Sequence, residues 1–312
     1  MAGAAENIEP GYLILGNVAR LLMPFEVFLA LIAVGVLLSL LALMQAVGQK
    51  QIIGFLALVL LSYFSFWSGA LNITRQFVAA GICLSAVSIL VRPAKVSQKL
   101  RFVIFGMLVA IAFSIHSSAL IFALFGILYG LRRRAMTILK LMWLFNISMF
   151  VLNYVNASPL SVIPGMSDRL ARYDSSQISD ASLAQFQSAG VTTGNRIDWA
   201  LALLLPMLIY AVRVFLRRNS SKMAEDDGLL TLGLLYSTLC MPFYLLSFLA
   251  FGDRIAFYAF IVLPSFLLAL LTTSFGREAR YAVLLVTAGG CLLQMGFGLY
   301  GYTPKFWLNG MP

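Results

Sequence analysis

One histidine, His116, serves the whole chain of 312 residues, and it stands in "SIHSSAL" with almost wholly apolar sequence on either side. An imidazole that is buried and close to guanidinium groups has its pKa lowered and stays neutral near pH 7. It then keeps a nitrogen able to take a proton, which suits a general base acting on a hydroxyl. Two readings stay open beside that one: a helix-end His bonded to a neighbouring carbonyl or to Ser117 or Ser118, and a base supplied instead by Asp168, Asp174, Asp198 or Asp253. On the side of the chain that carries His116 lie seven basic residues, Arg20, Arg75, Arg169, Arg172, Arg196, Arg254 and Lys305, all but one of them arginine. Guanidinium groups bind phosphate oxygens bidentately and are weakly hydrated, so they suit a phosphate site partly out of water. Taken singly, each arginine reads as an interface anchor or ion-pair member. Together, "TRQ", "DRLARYD" and "GDRIAFY" read as a site for a polyanionic amphiphile, of which a lipid pyrophosphate is the natural candidate.

Other chemistry is not signalled. There is no DxD or HExxH motif, and "EDD" at 225–227 faces Lys222 in a solvated link, so no catalytic metal is implied. No Walker A motif occurs, and no cofactor is expected. Cys83, Cys240 and Cys291 sit in apolar runs without CxxC spacing or a His ligand nearby and read as packing residues.

The elements that must position these groups are membrane spans. Hydrophobic residues make up 61% of the chain and charged residues 11%, and mean hydropathy is +0.92, outside the range of soluble globular domains. The expected fold is an all-α integral membrane protein, a single polytopic domain over 1–312. About ten spans are expected, near 25–47, 52–69, 76–91, 102–115, 117–131, 139–155, 199–216, 229–250, 255–275 and 281–300. The links "GQKQ", "RPAKVSQKLR", "RRRAMTILK", "RRNSSKMAEDDG" and "REAR" hold most of the basic residues and are assigned to the cytoplasmic side. This pattern accounts for the net charge of +10 without nucleic acid. The remaining links face outward, among them a long outer loop, 156–198, of the length that is functional or disordered. "MAGAAENIEP" lacks the basic and apolar regions of a signal peptide. Tyr63, Trp67, Trp199, Tyr300 and Trp307 at span ends read as interfacial belts.

Length then bears on the opening pair. Residues 102–131 start and end beside cytoplasmic basic clusters, so they should cross and return with His116 at the apex. Arms of about 14 residues would reach roughly 21 Å, less than the hydrocarbon thickness, and would sink His116 below the outer surface. A single long tilted helix is the alternative. Arg75, opening a span of about 16 residues, should be submerged in the same way, beside Asn72, Thr74 and Gln76. One outward-facing polar cavity shared by Arg75 and His116 is expected, since charge at such depth lines cavities or substrate paths.

The ordered set "EPGYLILGNVAR", "NITRQFVAAGICLSA", "FSIHSSALIF", "DRLARY" and "GDRIAFY" resembles the EpsG-type and Wzy-type polysaccharide polymerases of bacterial envelopes, and the likeness spreads over nearly the full chain. The resemblance implies a membrane glycosyltransferase of GT-C-like architecture in the bacterial inner membrane, with some helices short or re-entrant. It would join undecaprenyl-pyrophosphate-linked oligosaccharide donor and acceptor at the outer face, beside a chain-length regulator and a flippase. The matching residues would be Arg75, Gln76, His116, Arg169, Arg172, Tyr173, Arg254 and Tyr258, with arginines holding the donor pyrophosphate and His116 deprotonating the acceptor. Members usually carry a further span ahead of the "EPGY" element, so this chain reads as a shorter-start form. An O-acyltransferase acting on polysaccharide and a flippase of lipid-linked sugars are the competing functions. The short cytoplasmic links speak against the first and the lack of an internal repeat against the second.

Overall fold

A computed structural model of the protein describes residues 9–62, 66, 74–93, 96–154, 196–216, 227–246, 252–274 and 289. Among them the regular structure is helical: α1 (Pro10–Leu22), α2 (Phe25–Ala46), α3 (Ile53–Ser62), α4 (Thr74–Val91), α5 (Gln98–Ile115), α6 (Ile121–Gly130), α7 (Ala135–Tyr154), α8 (Arg196–Leu216), α9 (Asp227–Leu246) and α10 (Gly252–Ser274), with short 3-10 turns at Lys50–Ile52, Ser117–Leu120 and Arg132–Arg134. Among the described residues five stretches are helical, long and apolar enough to cross a bilayer: Phe25–Ala46, Thr74–Val91, Gln98–Ile115, Arg132–Leu152 and Asp227–Leu246. Shorter apolar helices lie at Ser117–Gly130, Ala200–Val214 and Ala256–Thr272. The protein is therefore a membrane protein, helical throughout the regular structure of its described residues. The span expected at 281–300 and nearly all of the loop at 156–198 lie outside the described residues, although the end of that loop is helical, because α8 starts at Arg196.

The described residues fall into two compact units. In the first, comprising 1–126, 227–229 and 264–312, α4 packs on both α2 and α5. Its inner face is made of Phe77, Ala79, Ala80, Cys83, Leu84 and Val87. The small residues Ala79 and Ala80 in it let helices approach closely in lipid, where no hydrophobic force drives them together. A Cβ added at Gly81 would already touch Val36 Cγ2 at 3.0 Å, and the hydroxyls of Ser39 and Ser85 bond across the same seam at 2.8 Å. Gly48 ends α2: at φ 83° it takes the left-handed conformation, and Gln49 N donates back to Met44 O at 2.9 Å in a Schellman-type turn.

The α4–α5 connection is fastened through charge. Ser97 starts α5 by accepting from Leu100 N at 3.3 Å. Arg101 Nη1 reaches back to the carbonyls of Leu90 and Arg92 at 3.1 and 2.6 Å, a cation placed on the negative end of α4. Because Ser97 extends α5 into the basic link, the helix has 18 residues and spans about 27 Å. The 14-residue arm expected from hydropathy is thus too short. Gln98, Lys99 and Arg101 belong to the helix, and long polar side chains at a helix end reach the interface while their backbone stays helical. Helix α4 likewise has 18 residues, longer than the expected 16.

The chain turns back at His116. Its N–H closes α5 on Ala112 O at 2.9 Å, its backbone is extended at φ −155°, and the 3-10 turn and α6 follow. A Cβ on Gly126 would strike the ring of Phe105. Residues ten after and eleven before His116 meet only if the two arms run antiparallel, so this segment is a hairpin and the single tilted helix is excluded.

In the second unit, 127–226 and 230–263, α7 packs on α8, and α9 is bonded to α8 through phenols: Tyr236 donates to Leu203 O at 2.9 Å and Tyr244 to Ala200 O at 2.8 Å. Prolines lie inside α8, α9 and α10 at 206, 242 and 264, a composition that membrane helices tolerate because neighbours satisfy the freed carbonyls. Asn146 is fully buried there and donates to Ser237 O at 3.2 Å.

Candidate functional site

Helix α1 is where the polar cluster begins. Pro10 at the first helical position presets φ and has no N–H to leave unsatisfied. Glu9 precedes it in extended conformation, and its carbonyl accepts from Tyr12 N and Leu13 N at 3.1 and 3.3 Å. Its carboxylate makes no cap bond. Instead it pairs with Arg75, in the first turn of α4, Nη1 to Oε2 at 2.7 Å. The guanidinium carbon also lies 6.0 Å from the ring centroid of Tyr12, within cation–π range. The arginine side chain is 39% exposed and the glutamate 23%, so the pair is not sealed among the described helices.

What brings Glu9 to this place is the seating of α1 on the end of α5. Gly11 lies directly on Ser114: a Cβ there would be 2.7 Å from the serine carbonyl oxygen and would overlap Oγ. Only glycine allows this approach. Ser114 is two residues before His116, so α1 lands at the apex of the α5–α6 hairpin.

His116 has a double structural duty. Besides closing α5, it caps the next 3-10 turn, with Nδ1 accepting from Ser118 N at 3.3 Å. Ser118 Oγ lies 2.6 Å from the same nitrogen. A backbone N–H can only donate, so Nδ1 is an acceptor and a neutral ring held this way carries its proton on Nε2. Burial lowers the pKa of the ring below its ordinary 6.5, Glu9 opposes that shift and Arg75 adds to it. The imidazole is therefore neutral at pH 7, and it lies within the fields of both members of the ion pair.

The structure thus gathers Arg75 and His116, two residues singled out by sequence, and adds Glu9 and Tyr12, two that were passed over. Both belong to "EPGY", where a proline just after an acidic residue marks a helix start. The signal that would have found Glu9 is an acidic side chain at a cap position next to an apolar span, with no basic residue nearby in sequence. Gln76 is buried, one residue and about 100° round α4 from Arg75. In the other unit Tyr258 is buried in α10. Arg254 lies in the first turn of α10 and Arg196 in that of α8, but their side chains are outside the described residues, as are Arg169, Arg172, Tyr173 and Lys305, and with them Asp168 and Asp174. Arg20 is exposed in the last turn of α1. Among the described residues no His, Cys, Asp and Glu group could hold a metal ion.

Comparison of the sequence with known families gives a match to the EpsG family over residues 2–304. The chain belongs to the EpsG family. No curated protein and no solved structure matches it. EpsG proteins are of the polysaccharide-polymerase type, and the match covers every helix described above. The Glu9, Tyr12, Arg75 and His116 cluster therefore lies wholly within the part of this EpsG protein that defines the family.

Proposed function

We propose that this EpsG protein polymerises oligosaccharide repeats carried on a polyisoprenoid diphosphate, undecaprenyl in bacteria, at the outer face of the plasma membrane. The observation that supports this best is the cluster at the hairpin apex: a half-exposed guanidinium already holding one anion, with a neutral imidazole beside it. It lies at the end of α4 and α5 away from the basic link 92–101, and basic links mark the cytoplasmic side.

In this reading Arg75 binds the diphosphate of the donor. The carboxylate of Glu9 occupies one edge of the guanidinium, and the remaining N–H donors are available to phosphate oxygens, stabilising charge as the diphosphate leaves. His116, with its proton on Nε2, donates a hydrogen bond, either to that leaving group or to a sugar oxygen. The base role expected from sequence needs a free lone pair on the ring, and the Ser118 bond occupies the one on Nδ1. By resemblance to the family, Arg254, Arg169, Arg172, Gln76, Tyr173 and Tyr258 would be further candidates for contacts to phosphate or sugar oxygens. Acceptor repeats would arrive through a flippase, and a chain-length regulator would end the run.

Purified protein in proteoliposomes, given the lipid-linked repeat on the active side, should lengthen the glycan one repeat at a time, and Arg75→Ala should weaken donor binding. Added acyl mass at constant glycan length would instead assign an acyltransferase. Movement of the lipid-linked unit across the bilayer without any lengthening would assign a flippase, and either result would end the polymerase reading.

A further inference from the structure

We infer that Glu9 is the general base that takes the proton of the attacking sugar hydroxyl, an assignment that rests on the polymerase reading above. Glycosyl transfer from a diphosphate needs a group that accepts this proton, and the cluster narrows the choice. The neutral ring of His116 spends Nδ1 on Ser118 and carries hydrogen on Nε2, so it faces the site as a donor. Arg75 has donors only, and Tyr12 presents its ring face to that guanidinium. The carboxylate of Glu9 has two oxygens with room for several hydrogen bonds, and the ion pair engages one of them, Oε2. Two other carboxylates among the described residues of this unit are less well placed. Glu26 is exposed in the first turn of α2 and is not among the charges acting on His116. Asp227 starts α9 next to Gly228, which lies against the Val47 carbonyl at the far end of α2.

The ion pair gives the arrangement its sense. One guanidinium touches the base on one edge and offers its other edge to the leaving diphosphate, so the two partners of the displacement are held by a single rigid plane. In the step itself the acceptor oxygen bonds to the anomeric carbon of the donor sugar. The bond from that carbon to the diphosphate oxygen breaks, and its electron pair leaves with the diphosphate. The hydroxyl proton passes to Glu9, which returns it to water. Gly11 seated on Ser114 keeps the carboxylate in register with the hairpin apex throughout.

Glu9→Gln and Glu9→Asp in the proteoliposome assay test this, with a non-extendable polyprenyl diphosphate as the binding probe. Removing the carboxylate that competes for Arg75 should leave binding of the probe unchanged or tighten it by up to about fivefold. The initial rate of chain extension should fall by about 10²–10⁴-fold. Glu9→Asp, keeping the charge one methylene short, should fall less. Arg75 from α4 pairs with Glu9 and His116 at the apex lies in its field, and at pH 7–9 the wild-type rate should be level. The residual rate of Glu9→Gln should climb with pH over that interval, by up to about tenfold per unit, as hydroxide replaces the lost base. A Gln variant that extends chains within about threefold of wild type overturns the assignment. So does one that loses rate and probe binding in parallel with no pH climb, because that pattern belongs to a residue that only positions Arg75. Wild-type protein that makes no polymer at all fails the polymerase reading itself, a different outcome from either.

Discussion

Gly11→Ala is the perturbation whose consequence follows most directly from the packing of α1. The new Cβ would lie 2.7 Å from the carbonyl oxygen of Ser114 and 2.8 Å from its carbonyl carbon. Atoms of these kinds settle near 3.5 Å apart, so α1 must retreat from the end of α5 by about 0.7 Å. Ser114 cannot yield easily, because its hydroxyl is bonded to Ile111 O at 2.7 Å and its backbone belongs to the last turn of α5. Overpacking of this sort costs about 1–3 kcal/mol. Glu9 lies two residues earlier on the same rigid element, so the same retreat stretches its 2.7 Å contact with Arg75 to or beyond the usual limit of about 3.2 Å. Displacements of roughly 1 Å in a reacting constellation lower rates by up to about 10²-fold. We therefore expect Gly11→Ala to melt at lower temperature in detergent and to extend chains about 10- to 100-fold more slowly. Gly16 provides the control on the same helix. Nothing lies within 4 Å of the place a Cβ would take there, and alanine should add about 0.5–1 kcal/mol through helix propensity and leave the rate unchanged. If both glycine variants behaved alike in melting and in rate, the idea that α1 positions the carboxylate would be refuted.

Two further outcomes are open to direct measurement. Asparagine caps helices well, so His116→Asn should keep the 3-10 turn and the melting temperature while abolishing chain extension. It should also remove a pH dependence: with the folded pKa of His116 below 6.5, the unfolded chain takes the proton first, so wild-type stability is full above about pH 7 and declines as pH falls through 6.5, levelling off below the folded value. A wild-type melting temperature flat from pH 7 to 5 would contradict this. In the second unit, Asn146 Oδ1 and Ser237 Oγ are buried with no partner among the described residues, and interhelical hydrogen bonds in membranes are worth about 0.6 kcal/mol. Asn146→Leu should then change stability by less than about 1 kcal/mol, whereas Asn146→Asp, burying an unpaired charge, should cost about 3–5 kcal/mol. Thermal unfolding of both variants decides, and a leucine variant as damaged as the aspartate one would show that Oδ1 is in fact engaged.

Much of the architecture was legible in the order of residues. Span positions follow from apolar runs bounded by basic links, and the turn-back at His116 follows from basic clusters at both ends of 102–131, which a single crossing would put on opposite sides of the membrane. Helix ends were less legible. Hydropathy starts the span at 102, while Ser97 Oγ starts α5 at Gln98, and α8 begins in what composition reads as loop, at Arg196. Of the candidate site, Arg75 and His116 were legible, because a guanidinium at the start of a span and a lone imidazole in an apolar run stand out by type, whereas the side chains of Arg169, Arg172, Arg196, Arg254 and Lys305 lie outside the described residues.

Sequence alone determined that this is a helical membrane protein with arginines and a lone histidine set apart from its most basic links, since composition and the placement of Lys and Arg are properties of the chain in one dimension. The state of those groups was decided only by the tertiary structure. Glu9 and Arg75 are 66 residues apart and meet because one glycine lets α1 lie on α5. The proton of His116 sits on Nε2 because a turn two residues later aims an N–H at Nδ1. Ion pairs and tautomers depend on distances of a few ångströms between distant segments, and no pattern of residue types specifies those distances until the helices have packed.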